Sequence, residues 1–334
     1  MKKITLAHGG GGKLTNELIR KIIVKHLGNP ELNKLDDSAV LKEEKGAIAF
    51  TTDSYVVDPI FFPGGDIGKL AVCGTINDLS VCGAKPLYIS LSLIIEEGFS
   101  VKDLEKIAKS IKKEAKANSV KVVCGDTKVV NKGKADKIFI NTSGIGKVIA
   151  KKMISSSLAK PGDKIIVSGS IGDHSTAVLS AREELKLHTN LKSDCASLAK
   201  LTQKMIKASD NIHVMRDPTR GGIATILNEV AEASKVGITI HENLVPIKKQ
   251  TKAACEILGF DPLYLASEGR LVAFVKSSDS KKIIKAMRSN SIAKEASVIG
   301  EVTAEHKGKV LMETLSGGKR IVDTFSGEQL PRIC

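Results

Sequence analysis

Asn77-Asp78-Leu79-Ser80-Val81-Cys82-Gly83-Ala84-Lys85-Pro86 is a seam between two periodicities. Before it, Leu70, Cys73 and Ile76 recur at helical spacing in a segment that starts near Asp66. After it, Leu87-Tyr88-Ile89-Ser90-Leu91-Ser92-Leu93-Ile94-Ile95 has the content of a long strand. Gly83 and Pro86 supply the break between them. A helix that feeds a strand in this way is the building step of an α/β chain.

The same alternation extends outward. Upstream, Ala47-Ile48-Ala49-Phe50-Thr51-Thr52-Asp53-Ser54 reads as a strand with an acidic end, as does the segment 35–41, which holds Asp36 and Asp37. The turn His8-Gly9-Gly10-Gly11-Gly12-Lys13 precedes a helical pattern at Leu14, Leu18, Ile19, Ile22 and Ile23. Its glycines suit close approach to an anion, but the P-loop spacing is absent here and elsewhere. Downstream, Leu104, Ile107, Ala108, Ile111 and Ala115 mark an amphipathic helix over 101–117. Val120-Lys121-Val122-Val123 is a strand running into Cys124-Gly125-Asp126-Thr127-Lys128, and a further strand covers 138–146.

Lys160-Pro161-Gly162-Asp163 is a turn that opens a second alternating half. There we expect strands at 164–169, 237–240 and 271–275 and helices at 177–181, 223–233 and 281–288. The expectation is two α/β sandwich-like domains, 1–155 and 156–323, followed by a mobile tail, 324–334.

That tail ends Pro331-Arg332-Ile333-Cys334. A thiol at a flexible end adds little to a core and is open to oxidation, so it reads as reactive rather than structural. Nine residues from Ser326 could reach roughly 30 Å, enough to enter a cleft, with Arg332 able to anchor on an acidic group. The other five cysteines (73, 82, 124, 195, 255) sit in apolar or helical contexts and read as buried small hydrophobes. Their scatter, without a CxxC pair, argues against a zinc site or a disulfide framework.

The 334 residues carry 51 basic and 37 acidic side chains, a formal charge of +14. Aromatics at 3% and the lack of Trp speak against nucleic-acid binding, so the charge fits phosphate ligands or an acidic partner. No apolar run approaches the ~18 residues of a membrane span, and no signal segment develops, so the expectation is a cytoplasmic protein with no membrane attachment.

Asp37, Asp53, Asp78 and Asp126 each stand where a strand ends or a helix turns. Singly each also reads as a turn former. Gathered by a sheet, such carboxylates are suited to Mg2+ held together with nucleotide phosphates. Asp217, Arg220, Gly221 and Gly222 precede a helix whose amides could meet phosphate oxygens, although Pro218 also suits a plain helix start.

The set Asp36-Asp37-Ser38-Ala39, Thr51-Thr52-Asp53, the opening stretch 77–86 and Gly125-Asp126-Thr127 resembles the aminoimidazole ribonucleotide synthetase-like (PurM-like) ATP-binding superfamily. Within it, the Gly-rich turn, Gly125-Asp126-Thr127-Lys128-Val129-Val130, Arg216-Asp217-Pro218-Thr219-Arg220-Gly221-Gly222 and the terminal Pro331-Arg332-Ile333-Cys334 are similar to the HypE family of carbamoyl dehydratases in [NiFe]-hydrogenase maturation. The likeness runs along essentially the whole chain.

The resemblance implies a homodimer with ATP near the junction of N-terminal sheets. It implies nucleotide contacts at Asp37, Thr52, Asp53, Asn77, Asp78, Gly125, Asp126, Asp217, Arg220, Gly221 and Gly222, and Mg2+ at Asp37, Asp53, Asp78 and Asp126. A HypF-like carbamoyltransferase would load Cys334, ATP would activate the carbamoyl oxygen, and the resulting thiocyanate would supply cyanide to iron on HypC/HypD-like scaffolds. Breaking the C–O bond and removing two N–H protons needs a base in a dry site, for which Glu268 and Lys128 are the candidates. Glu268 also reads as a turn carboxylate and Lys128 as a solvated cation or phosphate contact. Two other readings remain: a superfamily small-molecule kinase with an incidental terminal Cys, and a non-enzymatic scaffold docking through the tail thiol.

Overall fold

In the computed structural model, residues 3–8, 13–34, 45–182, 189–324 and 332–334 are described. The chain opens with α1 (Lys13–Leu18), continues through a π-helical stretch, Ile19–Val24, into α2 (Lys25–Leu27), and then forms β1 (Ile48–Tyr55). A short ribbon, β2 (Phe61–Phe62) and β3 (Gly65–Asp66), leads into α3 (Ile67–Val81), β4 (Ala84–Glu96), α4 (Val101–Ala117), β5 (Lys121–Val130) and β6 (Ile138–Val148). The stretch 77–86 is thus the end of α3 and the start of β4, with Gly83 at φ 81° in the turn. Asp66 starts α3 by accepting from the Gly68 and Lys69 amides at 2.8 and 3.0 Å.

The first sheet has the order β1-β6-β4-β5, with only the β4–β5 pair parallel. α3 and α4 cover one face. α4 turns Leu104, Ile107, Ala108, Ile111 and Ala115 inward, the stripe expected from its spacing. Leu104, Ile107 and Ile111, fully removed from water, contribute roughly 1.5–3 kcal/mol each. The opposite face is open: Ile48, Phe50 and Ile94 are 60, 67 and 42% exposed. One-sided cover is why these strands alternate, whereas a sandwich would bury both faces.

The second unit comprises β7 (Lys164–Val167), α5 (Asp173–Ser180), α6 (Ala199–Ala208), β8 (Ile212–Arg216), α7 (Gly222–Ser234), β9 (Gly237–His241), α8 (Lys249–Leu258), β10 (Val272–Val275), α9 (Ser280–Arg288), β11 (Ser297–Thr303), β12 (Val310–Glu313) and β13 (Lys319–Ile321). Its seven strands run β13-β12-β9-β11-β7-β10-β8. Here both faces are buried: Ile165, Val167, Val272 and Phe274 join the α7 core, while Ile166, Ala273 and Val275 join the core under α6 and α9. The central strands are accordingly continuous apolar runs.

Three parts of this layout differ from the sequence reading. β8 runs into the start of the Arg216–Gly222 motif, α8 is a half-polar helix, and β12 with β13 extends the sheet; none has the strong periodicity that reveals an element. Cys73, Cys195 and Cys255 are buried as expected, but Cys82 is exposed at the end of α3 and Cys124 is half-buried. The strand expected at 35–41 and the glycines at 9–12 lie outside the described residues.

Candidate active site

Strand alternation on β1 decides which residues reach the interior. Asp53 pairs with Thr142 of β6, and both face α3, where Thr142 is fully buried. Tyr55, two residues on, donates to Asp53 Oδ2 at 3.1 Å. Thr51, two residues back, donates to Asp78 Oδ2 at 2.7 Å, which brings the end of α3 to the same spot. From the second unit, the loop between β8 and α7 adds buried Asp217, and Ser267 N donates to Pro218 O at 2.8 Å, which brings Glu268 alongside.

These carboxyls disturb one another. Burial, then the neighbouring Asp53, lifts the Asp78 pKa to about 6. Burial and then Asp78 lift Asp217 to about 7, against the opposing pull of Arg216. Glu268 is 3% exposed and is raised well above the carboxylate range by burial, then by Cys195, Asp217, Asp194 and Asp53. Its Oε1 meets no hydrogen-bond donor among the described residues. A buried carboxyl oxygen without a partner is costly, and this one points to a group that arrives during function.

The tail supplies a candidate for that group. Cys334, read from sequence as an exposed thiol, is seated in the protein against the first core, and Ile333 is 4% exposed within it. Main-chain bonds run from Val56 N to Cys334 O and from Asp58 N to Arg332 O, both 3.1 Å. Arg332, at φ 55°, pairs with Asp136 and donates from Nε to Val56 O at 2.9 Å. Arg182 reaches the Arg332 carbonyl at 3.1 Å, and His174 reaches that of Ile333 at 2.9 Å. Arg332 is thus the anchor expected of it. Its sparsely populated backbone conformation is held by contacts on several sides.

In this seat the Cys334 thiol is pushed up to about 12, first by burial, then by Glu268, with Arg220 opposing and Asp53 adding. The terminal sulfur therefore lies under the electrostatic influence of the same carboxyls. A thiol so held is protonated and a poor nucleophile while seated.

Other expected residues do not join this group. Asp126 aligns with Ser92 and, through it, with Asn141, on the open face and with two strands between it and β1. Asp53 faces the other side, so Asp53, Asp78 and Asp126 form no single cluster within the chain. Lys128 pairs with Asp126 at 3.0 Å, and the side chains are 64 and 59% exposed. Thr52 also lies on the open face, bonded to Ser143, and it is Thr51 that meets the acidic group. Asn77 is 1% exposed, donating to Ala196 O and Glu268 O and accepting from Leu198 N at 2.7 Å, so it fastens α3 to the second unit rather than facing a ligand. Gly125 has a packing reason, since a Cβ there would stand 2.1 Å from Leu91 O. Gly221 and Gly222 open α7 at φ 78° and 59°, and a Cβ on Gly222 would meet Leu263 O at 2.4 Å. Arg220 is exposed beside them. Asp37 lies outside the described residues.

Sequence reasoning missed Thr51, Asp136, His174, Arg182 and Asp194. Asp194 Oδ1 accepts the Glu268 amide at 3.1 Å, and its Oδ2 lies 3.5 Å from Arg270 Nε. Only Thr51 left a local signal, its place one residue from Thr52 on an alternating strand.

No group of three or more His, Cys, Asp or Glu among the described residues is arranged to hold a metal by itself. Yet Asp53, Asp78 and Asp217 are hard oxygen donors carrying mutually unfavourable charge, and Mg2+ is commonly held by one or two carboxylates plus phosphates. The donor set therefore fits Mg2+ arriving with a nucleotide.

The chain matches the AIR synthase related protein N-terminal domain over residues 35–148 and the C-terminal domain over 160–313. It is 47% identical to the carbamoyl dehydratase HypE of Rhodobacter capsulatus over 338 residues, covering 100% of this chain and 98% of that one. The crystal structure of hydrogenase maturation protein HypE in complex with ATP superposes with a TM-score of 0.95 at 44% identity and 99% coverage of each chain. A HypE–HypF complex matches with a TM-score of 0.81 at 48% identity, covering 92% of this chain and 99% of that one. With full-length identity of this order and a thiol seated among converging carboxyls, the chain belongs to the HypE family of carbamoyl dehydratases.

Proposed function

We propose that the protein carries a carbamoyl group on Cys334 and dehydrates it to a thiocyanate, with ATP as co-substrate, supplying cyanide for hydrogenase maturation. The observation that carries this reading is the seating of the chain's own terminal thiol against the first core, within the electrostatic reach of Glu268, a buried carboxyl with an unpartnered oxygen. ATP is supported by the ATP complex of a relative 44% identical. Its phosphoryl group makes the carbamoyl oxygen a leaving group, and Mg2+ held by one or two of Asp53, Asp78 and Asp217 together with the phosphates would neutralise phosphate charge.

The protein's own part is positioning and proton removal. Arg332, held by Asp136 and Val56, sets the tail's register, and buried Ile333 fixes it against the first core. Ionised Glu268, a stronger base because its pKa is raised, accepts an N–H proton of the activated carbamoyl group. Arg220, whose charge is felt at the Cys334 thiol, and the start of α7 suit phosphate oxygens. Lys128 stays a candidate for phosphate contact or a second proton transfer.

The high thiol pKa of the seated state has a consequence. Carbamoyl transfer to Cys334 belongs to a withdrawn tail meeting a HypF-like carbamoyltransferase, and delivery of cyanide to another withdrawn state meeting HypC/HypD-like iron scaffolds. On this reading 1–155 is the nucleotide-binding and dimerisation unit, 156–323 the second wall of the site, and 324–334 the moving arm. A homodimer through the open sheet face would cover Phe50 and Ile48, and Phe50→Glu should shift light scattering toward monomer.

The function is tested by mass spectrometry of the C-terminal peptide after incubation with the carbamoyl donor system and ATP. A carbamoyl adduct that loses one water only when ATP is present supports it. An adduct unchanged by ATP would contradict it.

A further inference from the structure

His174 has no part in the chemistry above, yet it touches the tail. It is the second residue of α5, fully buried, with the Phe62 ring edge-on at 5.3 Å. Its Nε2 lies 2.9 Å from Ile333 O and its Nδ1 2.8 Å from Ser193 Oγ. A carbonyl only accepts, so Nε2 carries the proton and Nδ1 accepts from the Ser193 hydroxyl. Ser193 Oγ accepts in turn from Cys195 N at 3.0 Å. Burial holds the ring neutral, its pKa lowered to about 4, so this tautomer persists at neutral pH.

The relay has a second end. Between Ser193 and Cys195 stands Asp194, whose Oδ1 accepts the Glu268 amide. The loop that orients His174 therefore also positions the backbone of the candidate base. When the tail withdraws, the His174 N–H loses its acceptor in a pocket walled by Phe62 and the core.

We propose that His174 is a latch on the tail: a positioning residue whose Nε2–H holds the Ile333 carbonyl, keeps Cys334 seated, and sets how the tail divides between seated and withdrawn states. The residues facing it are Ser193, Phe62 and Ile333, and Arg182 and Val56 hold the neighbouring tail backbone. The latch deepens the carrier role proposed for Cys334, but its test does not need that chemistry.

Alkylation of Cys334 by iodoacetamide, followed on the C-terminal peptide by mass spectrometry, reads the withdrawn fraction, because a seated thiol is shielded and protonated. Losing the bond in His174→Ala should speed labelling roughly tenfold. In His174→Gln the side-chain amide keeps a donor near the Nε2 position, and labelling should stay within about twofold of the parent. Ser193→Ala, which frees the tautomer, should give a smaller rise and serves if His174→Ala fails to fold. Labelling of His174→Ala at the parent rate would overturn the latch, as would unchanged labelling in Ser193→Ala. So would His174→Gln labelling as fast as His174→Ala, because ring packing rather than the N–H would then hold the tail. If labelling follows the latch but carbamoylated protein is never dehydrated, the carrier role falls and the latch stands.

Discussion

Two places in this molecule combine carboxylates with a candidate proton acceptor, and they could hardly be less alike. At the junction of the two units, Asp78, Asp217 and Glu268, with Asp53 beside Asp78, have their pKa values raised by burial and by one another, and a seated thiol feels the same charges. On the open face of the first sheet, Asp126 and Lys128 pair in solvent, and the lysine bond lowers the Asp126 pKa. The same residue classes serve opposite ends. Desolvation raises the pKa values of the first group, and solvation leaves the second as a surface ion pair worth at most ~1 kcal/mol.

The comparison can be broken in several ways. The largest effect belongs to Cys334→Ala, which removes the carrier: modification of the C-terminal peptide should vanish, while nucleotide binding by calorimetry is retained. Next, Asp78→Asn should weaken ATP binding by roughly ten- to a hundredfold, since it removes a charged oxygen suited to a cation–phosphate contact. Lys128→Ala should lower dehydration about tenfold or less and act mainly through the KM for ATP. A loss as large as that from removing a general base, about 10²–10⁴-fold, would move Lys128 into the chemistry and erase the contrast.

The smallest effect is on stability. Asp78 and Asp217 titrate near 6 and 7 in the fold against 3.8 when unfolded, so they favour the fold fully below pH 3.8 and lose that contribution as pH rises through 6–7. Buried His174, at about 4 in the fold against 6.5 unfolded, opposes them between those two values by less than the two carboxyls together contribute, and Asp126, Asp136 and Asp279, with lowered values, do so only as pH falls below about 4. The ligand-free protein should therefore melt higher at pH 5 than at pH 8. Asp217→Asn should narrow that gap by a few degrees, at about 2–4 °C per kcal/mol. A gap unchanged in Asp217→Asn would mean that Asp217 ionises without penalty.

Where local pattern governed, the fold was legible. The α4 stripe, the α3–β4 seam at 77–86 and the α/β alternation all follow from periodicity within one element. What escaped depends on packing between elements. Thr52 and Asp53 are neighbours in sequence, but a strand sends them to opposite faces, and only the cover by α3 says which face is the site. Asn77 looked like a ligand because it adjoins Asp78, yet the helix turns it toward the second unit. His174 and Asp194 gained meaning only through contacts with residues far along the chain. The tail's importance could be read from its last residue. Its seat could not, because Val56, Asp58 and Asp136 carry no local mark of it.

The central claim is that Glu268, the buried acid beside the seated Cys334, removes a proton from the carrier-bound carbamoyl group. Single-turnover conversion of carbamoylated protein after ATP addition, followed as loss of one water from the C-terminal peptide, tests it most directly. Glu268→Gln, nearly isosteric, should bind ATP normally but convert roughly 10²–10⁴-fold more slowly, and the parent rate should rise with pH as Glu268 ionises. Conversion at the parent rate in Glu268→Gln would contradict the account.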